Sequence, residues 1–166
     1  NVRAGEILGV AGVEGAGQQE LVRVLAGRQL PLLGTVKLPA RIGFVPEDRL
    51  RDAIIAPMTL TENLALKEAG SRRGRMPWAE FRSRTAAVVQ NNEVRAPGPE
   101  TAAATLSGGN QQKFVLGREL EGSPELLVVE NPVRGLDIRA AAQVIKDLRA
   151  ARSTGVAIVM YSSDLD

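Results

Sequence analysis

Three stretches of this chain are apolar almost without interruption, and each is closed by a glycine-rich or polar turn. Glu6 to Val13 reads as a short buried strand followed at once by glycines. Leu126-Leu127-Val128-Val129-Glu130 reads as a fully buried strand ending in an acid, and residues 156–161 as a third strand. Continuous rather than alternating apolar runs mark strands of a parallel sheet covered on both faces. Helical patterns separate them: Gln18 to Ala26, Trp78 to Asn91, a helix after Gly109 ending near Gly122, and one from about Ile138 to Arg152. Thr59-Leu60-Thr61-Glu62 fits a capping box, Pro124 bars continuation of the helix before it, and Ser153-Thr154-Gly155 stops the last helix. The pattern predicts an α/β core from residues 1–48, with short strands after the first helix, and from residues 112–166. A mainly helical subdomain over 49–111 lies between these two parts. Within it, Ser71-Arg72-Arg73-Gly74-Arg75 reads as a solvated loop and Pro97-Gly98-Pro99 as a break, while Trp78 reads as core or interface packing. No internal repeat is visible.

Composition narrows the class. With 166 residues and 44% hydrophobic content the chain is long enough for one domain with a real core. Aromatics are only 3% and the net charge is +2, from 21 basic and 19 acidic residues, which argues against a nucleic-acid partner. Cysteine is absent, which removes thiol metal sites and fits a reducing cytoplasm. No run approaches the ~20 apolar residues needed to span a bilayer, so any pore must come from another polypeptide or region.

Two glycine motifs carry the chemistry. Gly12-Val13-Glu14-Gly15-Ala16-Gly17-Gln18-Gln19 occupies the place of a P-loop, G-x-x-x-x-G-K-[ST]. Its glycines can wrap a phosphate, but Gln18 stands where the phosphate-binding Lys belongs and Gln19 where the Mg²⁺-binding hydroxyl belongs. An amide brings no positive charge to a triphosphate, and Glu14 adds a negative one. The dinucleotide pattern G-x-G-x-x-G fails for want of a third glycine. The second motif, Leu106-Ser107-Gly108-Gly109-Asn110-Gln111-Gln112-Lys113, sets a hydroxyl and bare N–H groups at a helix start. That end carries unsatisfied donors and a partial positive charge suited to phosphate.

The string LSGGNQQK resembles the signature of ABC ATPases, and its NQQK tail resembles their sugar and nucleoside importer branch. The resemblance implies a P-loop NTPase core, ATP and Mg²⁺ as cofactors, and a signature that closes over ATP held by a second ATPase domain. It extends along the chain in order. Ile42 to Arg49 resembles the segment leading into the Q-loop, with Glu47 in place of Gln. Glu130 takes the Walker B Asp position, and Glu47 and Glu130 become candidate metal ligands. Asn131 stands where the catalytic Glu belongs, and Gly135-Leu136-Asp137 matches the D-loop. Ser163 replaces the switch His, in a chain that contains no His at all. The family's preceding adenine-stacking aromatic and final helices are missing, so the fold is expected to be truncated at both ends.

A positioned general base contributes ~10²–10⁴-fold and one preorganised charge stabiliser roughly 10²–10³-fold. Such effects are not additive, so the combined loss is on the order of 10⁴–10⁵. Turnover of about 10 per second would fall to one event per roughly fifteen minutes to several hours. The chain's own site, with Glu130, Asn131 and Ser163 at its degenerate catalytic positions, is therefore expected to be inactive. Gly12, Gly15, Ala16, Gly17, Gln18 and Gln19 would be the loop around any nucleotide bound there. Ser107, Gly108, Gly109, Asn110 and Asp137, which act across a dimer in this family, are retained. The reading is the second half of a tandem importer ATPase on the cytoplasmic face of the membrane. It would pair with a second ATPase domain, on the same polypeptide, and with transmembrane permease subunits, without touching the sugar or nucleoside cargo. Residues around Glu47 to Ala56 are the expected permease contact. The alternatives are a self-sufficient slow ATPase using Glu130, an ATP-binding regulatory or scaffold domain, and a non-transport cassette.

Overall fold

The structure, a computed structural model, describes residues 1–12, 15–70 and 73–163. The expected roles of Val13 and Glu14 in the P-loop and of Ser71 and Arg72 in the basic loop lie outside the described residues. The chain forms two units, one of Asn1–Glu47 with Glu119–Asp166 and one of Asp48–Arg118.

The first unit is built on four strands, β1 (Ile7–Ala11), β2 (Ile42–Val45), β3 (Leu126–Glu130) and β4 (Ala157–Ser162). Their order is β1-β4-β3-β2 and every pairing is parallel. Parallel neighbours need crossover connections, which the intervening helices supply. The apolar runs explain the order: all five residues of β3 are buried and it lies inside, while β1 is an edge with Leu8 and Gly9 exposed. One face of the sheet packs Phe44, Leu126, Val128, Ala157, Val159 and Tyr161 around Val22 of α1 (Gln18–Leu25). Alternate residues, Val45, Leu127, Val129 and Ile158, fill the other face and are as fully buried. Each buried aliphatic side chain contributes about 1.5–3 kcal/mol. Gly43 is required by packing, because a Cβ there would stand 2.8 Å from Leu127 Cδ1 and 3.3 Å from Glu119 Cβ. The Glu119 carboxylate in turn accepts from the Phe44 N–H at 3.2 Å on the outer edge of β2. Of the short strands expected after α1, β2 forms, while among the described residues none is assigned over 26–41. Pro31 and Pro39 cannot donate to a ladder, and Leu30, Leu32 and Leu33 stand almost fully exposed. Helix α6 (Ile138–Ser153) buries Val144, Leu148 and Ala151 and leads back into β4.

The second unit is helical, with α2 (Arg49–Asp52), α3 (Leu60–Ala69), α4 (Trp78–Asn91) and most of α5 (Gly108–Glu121). Helix α3 opens with the capping box read from the sequence: Thr59 Oγ1 accepts from Glu62 N, and Glu62 accepts from Thr59 N at 2.8 Å. Helix α4 packs on α3, where Arg84 pairs with Glu68 at 2.6 Å and Phe81 is fully buried. The lone Trp78 stacks obliquely on Phe81, 6.3 Å away, and keeps an exposed edge. Fully buried Asn63 ties the 55–59 loop to α3 through Ile55 N, Ile55 O and Met58 O. The unit ends at Arg118, inside α5, whereas the sequence pattern puts the change at residue 112. The helix's inner side chains account for this: Gln111 donates to Ala103 O and Arg118 to Ala53 O, both within the helical unit. Among the described residues no helix is long and apolar enough to cross a membrane.

Candidate functional site

The P-loop region sits at the carboxyl ends of the strands, where ligands of open parallel sheets bind. Gly17 takes φ 89° and Gly15 φ 85°, so the loop turns into α1 through left-handed backbone that side chains resist. A cavity of about 460 Å³ lies there, with Gly15, Gly17, Gln18, Glu47, Asn131 and Arg134 in its lining. Ala16 and Gln19 are exposed, Gln19 also facing the cavity. Gln18 is buried, and among the described residues its Oε1 has no hydrogen-bond partner. An amide thus stands, without a cation's charge, at the position where a P-loop Lys would bring one. Glu20 and Glu47 set two carboxylates in the lining against the single guanidinium of Arg134. That balance is unfavourable for a triphosphate.

The degenerate positions are tied to one another. Asn131 follows β3 with φ 40°, a left-handed conformation that Asn tolerates better than most residues. Its Nδ2 donates to Glu47 Oε2, and its Oδ1 accepts from Ser163 N at 2.8 Å and Ser163 Oγ at 3.2 Å. Arg134 Nη1 donates to the other oxygen, Glu47 Oε1. Glu130, buried at the end of β3, accepts from the Glu47 backbone N–H at 3.3 Å. Glu47, Asn131 and Ser163, the three positions expected to be degenerate, thus form one hydrogen-bonded set. A Glu at position 131 could not donate to Glu47; the two carboxylates would face each other. Both side-chain oxygens of Glu47 are engaged, and among the described residues no cluster of three or more acids, His or Cys could hold a metal. This donor set fits poorly to Mg²⁺, which asks for near-octahedral oxygen ligands.

The signature region, in the helical unit, is arranged differently. Ser107 precedes α5 and its carbonyl accepts from Gln111 N at 2.9 Å, so it holds the N-cap position. Ser107 and Gly108 are exposed, Gly109 and Asn110 partly so. Asn110 Nδ2 donates to Ser107 Oγ at 2.9 Å and its Oδ1 accepts from Arg95 N at 2.9 Å. With its oxygen accepting from Asn110, the Ser107 hydroxyl keeps its proton free to donate outward. The NQQK tail anchors the helix start: Gln111 donates to Ala103 O, Gln112 accepts from Arg49, and Lys113 donates to Glu93 O. In the sheet unit, Asp137 is exposed and caps α6, accepting from Arg139 N and Ala140 N, each at 2.9 Å.

Three lining residues belong to no motif recognised in the sequence: Arg134, Tyr161, which donates its hydroxyl to Gly12 O at 3.3 Å, and Glu20, which adds the second acid. Their signals are a cation three residues after the Asn131 position and a polar-tipped aromatic at the end of the last strand. Neither is readable without the register that sets Glu130 beside Tyr161.

Comparison with known proteins agrees with this architecture. The sequence profile of the ABC transporter family matches residues 1–134. The nucleoside import ATP-binding protein NupA of Lactococcus lactis subsp. cremoris is 40% identical over all of this chain, and the guanosine import ATP-binding protein NupO of Bacillus subtilis is 34% identical. A ribose import ATP-binding protein, RbsA of Chromobacterium violaceum, is 33% identical over 99% of the chain. The chain spans 36% of the length of each of these relatives. Among solved structures, a dimeric ATP-binding cassette bound to ADP and phosphate superposes with a TM-score of 0.79 at 22% identity, covering 99% of this chain and 78% of that one. The cbiO1 protein of Clostridium perfringens, part of the ABC transporter complex cbiONQ, also matches, with a TM-score of 0.75 at 19% identity over all of this chain and 70% of that one. A glycine loop entering a helix beside a parallel sheet, a signature at the start of α5 and this breadth of match lead to one conclusion: the chain belongs to the ABC transporter family, as an ATP-binding domain.

Proposed function

We propose that this domain serves an importer of nucleosides or simple sugars by lending its signature to a partner domain's ATP site, while its own site does not hydrolyse ATP. The observation that carries the reading is the closed Glu47–Asn131–Arg134–Ser163 network. The side chains that would activate water and hold Mg²⁺ are spent on each other, whereas Ser107 and Gly108 stand exposed with a donor to offer. At the partner's site, Mg²⁺ would neutralise the phosphates; Ser107 and the bare N–H groups of Gly108 and Gly109 would bind the terminal phosphate, and Asp137 would meet the partner domain. The importer assignment draws on the relatives' names and on the NQQK tail. The relatives' length beyond the matched 36% has room for the second ATPase domain on the same polypeptide. Permease subunits would supply the membrane path and dock near Glu47 to Ala56, placing the domain on the inner face of the membrane.

The test is steady-state ATPase of the full-length protein assembled with its membrane subunits, wild type against Gly108→Asp. The substitution is well tolerated by the fold: position 108 is helical and exposed, a Cβ there meets only Arg49 Nη2 at 3.5 Å, and an acid suits the first helical turn. Near-complete loss of turnover is expected, because the new carboxylate repels phosphate. Unchanged turnover would overturn the reading.

A further inference from the structure

We propose that Arg49 is a phosphate-binding residue of the signature surface, a fixed cation beside Ser107 and Gly108 that meets the nucleotide held by the partner domain. The proposal rests on the signature-lending reading above and adds a residue to it. Arg49 opens the short helix α2, whose N-cap Asp48 is occupied in accepting from Arg51 N at 3.1 Å. Arg49 Nη1 donates to Gln112 Oε1 at 3.0 Å, and Gln112 is fully buried in α5. Its Nη2 lies 3.5 Å from where a Cβ of Gly108 would stand. Positions 108 and 112 are one turn apart on the same side of α5, so the guanidinium lies along the first turn with one end anchored and the other at the helix start.

This is an unusual place for a cation. A helix N-terminus already carries partial positive charge, so a guanidinium beside it is disfavoured unless an anion is present. Burial also lowers the pKa of Arg49 from its ordinary value, with nearby Asp48 opposing the shift, yet an arginine remains protonated at neutral pH. Among the described residues no carboxylate stands within ion-pair distance of it. A terminal phosphate arriving at Ser107 and Gly108 would add a direct ion-pair partner to the more distant charge of Asp48, and Gln112 would hold the fork in place to receive it. Gly108 has no side chain to screen the two.

The experiment uses the full-length ATPase assembled with its membrane subunits and compares wild type, Arg49→Met, Arg49→Lys and Gly108→Asp. The readouts are KM for Mg-ATP and equilibrium binding of a non-hydrolysable ATP analogue, each across a range of ionic strength. Arg49→Met should weaken both about tenfold, the scale of one charge-assisted hydrogen bond, and flatten their salt dependence. Arg49→Lys keeps the charge and loses the fork on Gln112, and should stay within about threefold. Wild-type values for Arg49→Met, or equal losses for Met and Lys, would overturn the proposal, the second by making Arg49 a brace between α2 and α5. Abolished turnover in Gly108→Asp with wild-type Arg49→Met refutes this inference alone. Full turnover in Gly108→Asp refutes the signature-lending reading and this inference with it.

Discussion

The cavity at the P-loop and the start of α5 are both places where an ATPase of this family meets phosphate, and they use their polar groups in opposite ways. At the P-loop, Glu47, Asn131, Arg134 and Ser163 satisfy one another, and Gln18 is a buried amide without a cation's charge. At α5, Asn110 engages the Ser107 oxygen, so the exposed hydroxyl is left as a donor, and Arg49 adds charge. On the proposed reading, a glycine loop of the right shape is not sufficient for phosphate chemistry; what matters is whether donors and cations are left over after the protein has satisfied itself. Side chains in the first region are bonded to one another, and those in the second are proposed to meet a ligand.

The largest effect separating the two should come from Ser107→Ala in the assembled protein. Loss of one preorganised donor predicts a fall in kcat on the order of 10²-fold, beside a loss of cap stability of about 0.5–2 kcal/mol that thermal unfolding of the purified protein would read separately. Next, the first region resists repair by a single change. Asn131→Glu alone should not restore hydrolysis, since it sets a carboxylate against Glu47; measured in a background where Gly108→Asp has silenced the shared site, it should show no turnover above that background. Adding Glu47→Gln, which returns a donor to that position, should relieve the repulsion and recover stability lost in the single variant, as read by thermal unfolding. A third, smaller effect belongs to the network itself: Asn131→Ala removes a buried donor and acceptor and puts Ala at φ 40°, and should cost about 1–3 kcal/mol in denaturant unfolding.

Much of the scaffold was legible because its determinants are local. The continuous apolar run of β3 required burial on both faces, and the Thr59–Glu62 spacing fixed the start of α3. The signature was readable from eight consecutive residues. The ties that give each region its character were not, because they join residues far apart in sequence. Arg134 meets Glu47 across 87 positions and Arg49 meets Gln112 across 63. Only the parallel register of β3 and β4 and the course of the loop entering α2 bring such partners together. Between α1 and β2, over 26–41, strand is absent among the described residues for a different reason: prolines and exposed leucines there outweigh an otherwise extended pattern.

The most direct test sets the two regions against each other in one preparation. ATPase turnover of the full-length protein with its membrane subunits would be measured for Gly108→Asp at the signature and Ser163→Ala in the network. The account predicts near-complete loss for Gly108→Asp and, because the own site does not hydrolyse ATP, no more than about a threefold change for Ser163→Ala. Loss of turnover in Ser163→Ala with full turnover in Gly108→Asp would contradict it, assigning hydrolysis to the P-loop site of this chain.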